Sequence, residues 1–178
     1  MKIVQTKFKG LCIVNGFSFY DKRGFFREIY KNSLFKKYKP VFWCVSKSKK
    51  NVLRGLHLQK KKSQAKFVSV LRGKILDVVV DLRKKSKTFG KHFKIELSEK
   101  NSKSIIIPKG FAHGFVVLSQ TAIFSYKVDK YYNPNYESGI LWNDPDLKID
   151  WKIPKDQIVV SEKDKKLLNF KNFISPFK

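Results

Sequence analysis

Three histidines, His57, His92 and His113, are the only imidazoles in the chain, so each can be weighed for acid–base work by its surroundings. His57 lies in the mostly apolar run Val52-Leu-Arg-Gly-Leu-His-Leu-Gln59, where an arginine and a histidine are costly to bury without partners. Two readings fit that segment alone: a hydrogen-bonded core histidine, or a general base able to work near neutral pH. His113 lies in Phe111-Ala-His-Gly-Phe-Val-Val-Leu118, where the two-residue strand period puts Phe111, His113, Phe115 and Val117 on one face. Ala122, Phe124 and Tyr126 form a comparable inward set on the next segment. A histidine and a tyrosine in adjoining apolar stripes make either a hydrogen-bonded core pair or a cavity with a proton donor in its wall.

Small β-barrels that hold a catalytic metal use a His-x-His pair with a carboxylate and a third histidine. Here His57 is followed by Leu58 and Gln59, no His-x-His occurs, and His92 stands in a lysine-flanked strand expected at the surface. The expectation is chemistry run by acid–base groups, with no metal and no cofactor. Arg23, in Asp21-Lys-Arg-Gly-Phe-Phe-Arg-Glu28, is a loop arginine beside Gly24 and two phenylalanines. Such a group can stack on a base and pair with phosphate, or simply lie exposed over a hydrophobic anchor.

The elements that must position these residues are short strands. Strand-like segments recur between turn signals at Leu11 to Phe19, Val41 to Ser46, Phe67 to Leu71, Ile75 to Asp81, His92 to Leu97, Ser104 to Ile107, Gly114 to Leu118, Ala122 to Val128 and Gly139 to Trp142. That spacing suits a sandwich or barrel. Arg72-Gly73-Lys74 between two apolar runs reads as a hairpin turn, which makes the sheet largely antiparallel. Pro108-Lys-Gly110 and Asn133-Pro-Asn135 read as turns, and the only short helices expected are Lys31 to Tyr38 and Lys163 to Phe170. No repeat or linker divides the chain, so one domain over residues 1–178 is expected, mainly β with short peripheral helices.

Composition narrows the function classes. At 42% hydrophobic and 15% aromatic residues, the 178-residue chain can fill a core and is not disordered. The net charge of +25 attracts polyanions in general, whether nucleic acid, acidic membrane or a diphosphate, and does not choose among them. Most of the excess is lysine in loop-like runs such as Lys60 to Lys62 and Lys84 to Lys87, which read as a solvated face. Cys12 and Cys44 have no CxxC or zinc spacing and are expected as reduced, buried thiols. With no signal-like N-terminus and no apolar run of about 20 residues, a cytoplasmic protein without membrane attachment is expected.

Read together, Asp21-Lys-Arg-Gly-Phe-Phe-Arg-Glu28, Val52-Leu-Arg-Gly-Leu-His57, Asp77-Val-Val-Val-Asp-Leu-Arg83, Ile107-Pro-Lys-Gly-Phe-Ala-His-Gly-Phe115, Tyr126-Lys, Tyr131-Tyr132 and Trp142-Asn-Asp-Pro145 resemble the dTDP-4-dehydrorhamnose 3,5-epimerase family in order and spacing. The resemblance implies a homodimeric, metal-free double-stranded β-helix of the cupin, or jelly-roll, type. It implies a nucleotide-diphosphate sugar as substrate, dTDP-4-keto-6-deoxyglucose, epimerised at C3, C5 or both in deoxysugar synthesis, with an epimerase of another nucleotide-linked 4-keto sugar as the alternative within that class. By the same resemblance His57 corresponds to the general base, Asp164 to the carboxylate that orients it, Lys66 to the lysine at the C4 oxygen and Tyr126 to the acid on the opposite face. Arg23, Phe26, Glu28, Ser46, Arg54, His113, Tyr132 and Glu137 then fall at substrate-binding positions, some of them across a dimer interface.

The sequence departs from the family on one strand. A Gln-x-Asn-x-Ser pattern is replaced by Phe42, Cys44 and Ser46, so only the serine is retained, and that strand is expected at the nucleotide end, away from the chemistry. Two further function classes remain as alternatives. A basic nucleic-acid-binding barrel requires a cationic stripe interleaved with surface aromatics, whereas an epimerase requires His57, Lys66 and Tyr126 to converge in one pocket. A non-catalytic sugar-binding barrel keeps the pocket without needing the base and acid.

Overall fold

A computed structural model describes residues 1–35 and 37–178. Its strands are β1 (Lys2–Gln5), β2 (Cys12–Asn15), β3 (Phe19–Asp21), β4 (Gly24–Phe26), β5 (Phe42–Lys49), β6 (Leu53–Gln59), β7 (Lys66–Arg72), β8 (Lys74–Asp81), β9 (His92–Ser98), β10 (Lys103–Ile107), β11 (Phe111–Val117), β12 (Thr121–Val128) and β13 (Glu137–Gly139). One sheet runs β1-β2-β10-β7-β12-β5 and the facing one β13-β6-β11-β8-β9, while β3 and β4 form a separate hairpin. These strands pair antiparallel, and the chain crosses repeatedly from one sheet to the other, which makes the structure a double-stranded β-helix.

The core explains why β8 and β11 read as continuous apolar runs. One side of each faces the barrel interior, where Ile75, Val79, Phe111, Phe115 and Val117 meet Val68, Val70 and Phe124 of the opposite sheet. The other side is covered by the C-terminal segment, where Leu76, Val78, Val80, Ala112 and Val116 pack on Ile140, Trp142, Leu147, Trp151 and Phe173. A strand buried on both faces loses the polar alternation of a half-exposed one. Each fully buried aliphatic side chain contributes roughly 1.5–3 kcal/mol, so this double cover anchors the strands that carry the site. Trp151 is buried without an unmet donor, because its Nε1–H donates to the Trp142 carbonyl at 2.9 Å.

The structure corrects the sequence reading in several places. Arg72-Gly73-Lys74 is not a hairpin turn: β7 pairs with β10 and β12, and β8 with β9 and β11. Both runs are apolar on their inward sides, so they face one another across the core instead of lying side by side. Gly73 turns the chain from one sheet to the other at φ +79°, and a Cβ there would lie 2.1 Å from the Thr121 carbonyl oxygen. The helix expected over Lys31 to Tyr38 is a 3₁₀ turn at Asn32–Phe35, and Lys36 lies outside the described residues. The helix expected over Lys163 to Phe170 shrinks to one turn, α1 (Glu162–Lys165), followed by a 3₁₀ turn at Phe170–Asn172. The strand expected at Gly139 to Trp142 lies earlier, as β13. Cys12 is buried, as expected, but Cys44 is only half-buried, and both are free thiols.

Candidate active site

At one end of the barrel a cleft of about 460 Å³ opens between the sheets. Its walls include His57, Lys66, His113, Tyr126 and Asp164, and also Ser46, Arg54, Tyr132 and Glu137. Residues from six strands and α1 therefore converge, although they are up to 118 positions apart in the chain, from Ser46 to Asp164.

His57 is brought there by a close approach of two strands. Gly55 takes φ +130°, and a Cβ on it would lie 2.4 Å from Cα of Gly114. β6 can then press onto β11, with His57 opposite His113 and the register shifting just beyond, between His113 and Phe115. On its other side the ring meets Asp164: His57 Nε2 lies 2.7 Å from Asp164 Oδ1, while Oδ2 accepts the Gly55 backbone N–H at 3.1 Å. The carboxylate sits on α1, whose first turn is held by Ser161, its hydroxyl accepting the Asp164 N–H at 3.1 Å. Burial alone would raise Asp164, but the hydrogen bonds from His57 and Gly55 outweigh it and hold the carboxyl below its usual range. The imidazole is 31% exposed and the carboxylate 4%, so His57 faces the cleft and Asp164 is shut away from solvent.

Lys66 opens β7 and Tyr126 lies on the adjacent β12, where Tyr126 is opposite Val68 and Val128 opposite Lys66. Desolvation lowers the Lys66 ammonium to about 8, against the raising influence of Asp77 and Glu137. Burial, with Cys44 adding to it, pushes the Tyr126 phenol up to about 12. At neutral pH the cleft therefore holds a charged lysine that parts readily with its proton and a fully protonated phenol. Tyr126 packs on Phe124, with ring centroids 5.3 Å apart, and Phe124 stacks at 4.5 Å on Phe115, which makes one wall of the cleft apolar.

At the outer rim, the Tyr132 hydroxyl donates to Glu137, which also pairs with Lys163. Arg54 Nε donates to Ser48 Oγ at 3.1 Å. Gln59 is buried beneath the rim, and its amide donates to the Lys62 and Tyr131 carbonyls and accepts the Asn133 N–H, tying down the loop that carries Tyr132. Sequence reasoning gave Gln59 no role, although its place two residues after His57 puts it on the same strand face.

Three of the binding positions are not in this cleft. Arg23 and Phe26 sit on the β3–β4 hairpin; the Arg23 side chain is 84% exposed and pairs with Asp21 at 2.6 Å. Glu28 lies just beyond and pairs with Lys31 at 2.7 Å. A second correction concerns the departing strand: Cys44 stands directly opposite Tyr126 in the β5–β12 register, so it borders Tyr126 and does not lie apart from it. Phe42, two residues back along β5, stacks on Tyr131 at 5.9 Å. Among the described residues, no group of three His, Cys, Asp or Glu is arranged to hold a metal ion.

The barrel and the convergence of a histidine–carboxylate pair, a lysine and a tyrosine in its cleft fit an isomerase that works by proton transfer. Comparison with known proteins places it more closely. The family model for dTDP-4-dehydrorhamnose 3,5-epimerase matches residues 5–172, and the chain belongs to that family. It is similar to the dTDP-4-dehydrorhamnose 3,5-epimerase of Methanothermobacter thermautotrophicus, 42% identical with 92% of this chain and 91% of the relative covered. The crystal structure of the Elizabethkingia anophelis enzyme of the same name is 49% identical with a TM-score of 0.89, covering 97% of both chains. That of the Legionella pneumophila dTDP-6-deoxy-D-glucose-3,5-epimerase, in complex with dTDP-4-keto-L-rhamnose, is 40% identical with a TM-score of 0.92, covering 97% of this chain and 94% of that one. The chain is a sugar-nucleotide epimerase, an isomerase of deoxysugar biosynthesis.

Proposed function

We propose that the protein inverts both C3 and C5 of dTDP-4-dehydro-6-deoxyglucose without a metal or cofactor, with His57 as base, Tyr126 as acid, Lys66 at the C4 oxygen and Asp164 orienting the base. The observation that carries this reading is the shared cleft of the His57–Asp164 pair, Lys66 and Tyr126. The C4 ketone acidifies the C–H bonds on either side of it. His57 removes the proton, the C–H electrons pass into the ring, and the C4 oxygen becomes an enolate beside the Lys66 ammonium. The new imidazolium is stabilised by Asp164, as a carboxylate stabilises the histidine of a catalytic triad. Tyr126 then delivers its proton to the carbon from the opposite face, the enolate collapses to the ketone, and the configuration is inverted; His57 releases its proton to solvent and Tyr126 takes one up from it, which resets the pair for the second carbon.

Ser46, Arg54, His113, Tyr132 and Glu137 bind the ligand in the same cleft. Arg54 serves the diphosphate and Tyr132 offers a ring to the base. Arg23, Phe26 and Glu28 act in the cleft of a second copy of the chain, across a homodimer interface. Support comes from the hairpin, the segment leading into it and β5, which expose Phe17, Phe19, Phe26, Trp43 and Val45, a surface that a partner would cover. The chain works as one domain in the cytoplasm; its free thiols suit a reducing compartment, and no helix among the described residues is long and apolar enough to cross a membrane.

Incubation with dTDP-4-dehydro-6-deoxyglucose in D₂O, followed by NMR, tests the activity. Deuterium at both C3 and C5 with formation of the L-sugar supports it, and a folded protein that exchanges neither position rules it out. The interface is tested by mixing Arg23→Ala and His57→Asn proteins, each inactive alone. A site shared between chains regains about a quarter of the wild-type activity, because half of the dimers are mixed and each of those rebuilds one of its two sites.

A further inference from the structure

Behind the cleft lies an ionisable group that the proposed mechanism leaves unused. Asp77 sits in the middle of β8, opposite Phe115 of β11 and Ile95 of β9, and its side chain points inward between Ile75 and Val79. It has no exposure to solvent. A carboxylate in such apolar surroundings is strongly disfavoured unless charge or hydrogen bonds compensate it. One oxygen is accounted for: Asp77 Oδ2 lies 2.8 Å from Nε2 of the equally buried His113. The other is not. Oδ1 is the one buried side-chain oxygen or nitrogen, among the described residues, that meets no donor on the protein.

His113 does not neutralise the pair. Burial outweighs the pull of Asp77 and, with Lys66 and His57 adding to it, holds the imidazolium below its usual range. Lys66 lies on the facing sheet, on the same inward face of β7 as Val68 and Val70, and lines the cleft beside His113; no hydrogen bond or ion pair joins it to Asp77, which acts on it across the interior as the foremost attractive charge. The groups facing Lys66 from the elements around it are Asp77 of β8, His113 of β11, His57 and Arg54 of β6, Tyr126 of β12 and Glu137 of β13. Glu137 is already occupied by Lys163 and Tyr132, which leaves Asp77 as the carboxylate with a free oxygen.

We propose that Asp77 is a positioning residue for the epimerisation, its free Oδ1 serving as the fixed counter-charge that keeps Lys66 protonated beside the C4 oxygen. His113 holds the carboxylate in place through Oδ2. The idea rests on the role proposed for Lys66 above. In chemical terms, Asp77 supplies no proton and touches no substrate; it keeps an ammonium charged in a pocket that otherwise favours the neutral amine.

The test uses full-length wild type, Asp77→Asn and Asp77→Glu, with two readouts. The first is the pH dependence of Lys66 acylation by acetic anhydride, read by mass spectrometry, which does not depend on any enzymatic activity. The Asp77→Asn midpoint should fall by about one pH unit or more, the effect of removing a charge at close range, and Asp77→Glu should recover part of it. The second is the falling limb of kcat/KM with pH, which should shift down with that midpoint. A folded Asp77→Asn protein with an unchanged Lys66 midpoint overturns the proposal, even if it is less stable or less active. If Asp77→Asn fails to fold, Asp77→Ser, which also removes the charge, decides: a midpoint below that of wild type sustains the proposal, and one that stays overturns it. If the midpoint moves but wild type shows no epimerisation, the counter-charge stands and the substrate reading falls.

Discussion

The Asp164 carboxylate bridges His57 and the strand that carries it: Oδ1 lies 2.7 Å from His57 Nε2, and Oδ2 accepts the backbone N–H of Gly55, two residues before the histidine. The imidazole and the turn that presents it are thus fixed by one group. Replacing His57 with Asn should lower kcat by about 10²–10⁴ with the fold intact, because His57 lines the cleft and the core does not rest on it. Asp164→Asn should lose about as much, since it favours the wrong tautomer. Near-normal turnover in either folded variant removes that residue from the mechanism.

Asp164 also predicts a pH signature in stability. Its carboxyl is held below the usual range in the folded state, so its contribution is present above the unfolded value and is lost as pH falls through the folded one. The difference in Tm between wild type and Asp164→Asn should therefore be full above about pH 5 and should shrink steadily below about pH 4. A difference that stays constant down to pH 2 contradicts the hydrogen bonding described here.

Tyr126→Phe should separate two events. With His57 and Lys66 in place, the variant still exchanges solvent deuterium at C3 and C5, but inverted product should fall by about 10²-fold or more, since the opposite-face donor is gone. Exchange and inversion falling together means that Tyr126 positions the substrate instead.

In the proposed mechanism Lys66 sets the alkaline side. With its ammonium brought down to about 8, activity should fall above that pH as the charge opposite the enolate disappears. Unfolding at this residue is not the cause. A lysine depressed in the folded state binds fewer protons there than in the unfolded chain, so stability rises between about pH 8 and the unfolded value. Lys66→Arg keeps its charge across this range and should abolish the limb near pH 8, while lowering kcat by about 10²-fold through misplaced geometry. A limb that persists near pH 8 in that variant belongs to another group.

Much of the site was legible because chemistry-bearing residues interrupt apolar runs: His57, His113 and Tyr126 all break stripes that would otherwise be plain core. Asp77 interrupts such a run too, yet its place in the buried centre of β8 became visible only once both faces of that strand were seen to be covered. The turn at Gly73 was misread for the same reason, since local sequence tells that the chain reverses and not whether the two runs pair or face each other. Arg23, Phe26 and Glu28 were read as binding positions through resemblance, but in the single chain they lie on the exposed β3–β4 hairpin or just beyond it.

Chelator treatment should leave turnover unchanged. His57 and His113 are each already committed to a carboxylate, and the described residues offer no third ligand beside them. A stoichiometric transition metal lost together with activity overturns this.

The departing strand makes the last prediction, and the register divides it. Phe42 stacks on Tyr131 beside the loop of Tyr132, whereas Cys44 is opposite Tyr126 and helps to keep its phenol protonated. Phe42→Gln therefore introduces an amide near the proposed nucleotide end. One hydrogen bond worth about 0.5–1.5 kcal/mol should tighten dTDP by about 2- to 12-fold with kcat unchanged. Cys44→Asn, in contrast, replaces the sulfur beside the proposed acid, so it should change the ratio of inversion to deuterium exchange even where affinity hardly moves. Competition among dTDP, UDP and GDP for each single variant gives the first quantity, and NMR in D₂O gives the second. If Phe42→Gln binds dTDP no better than wild type, the aromatic stack already serves the ligand as well as an amide does. If Cys44→Asn leaves the inversion-to-exchange ratio untouched, the thiol is only packing against Tyr126 and does not tune it.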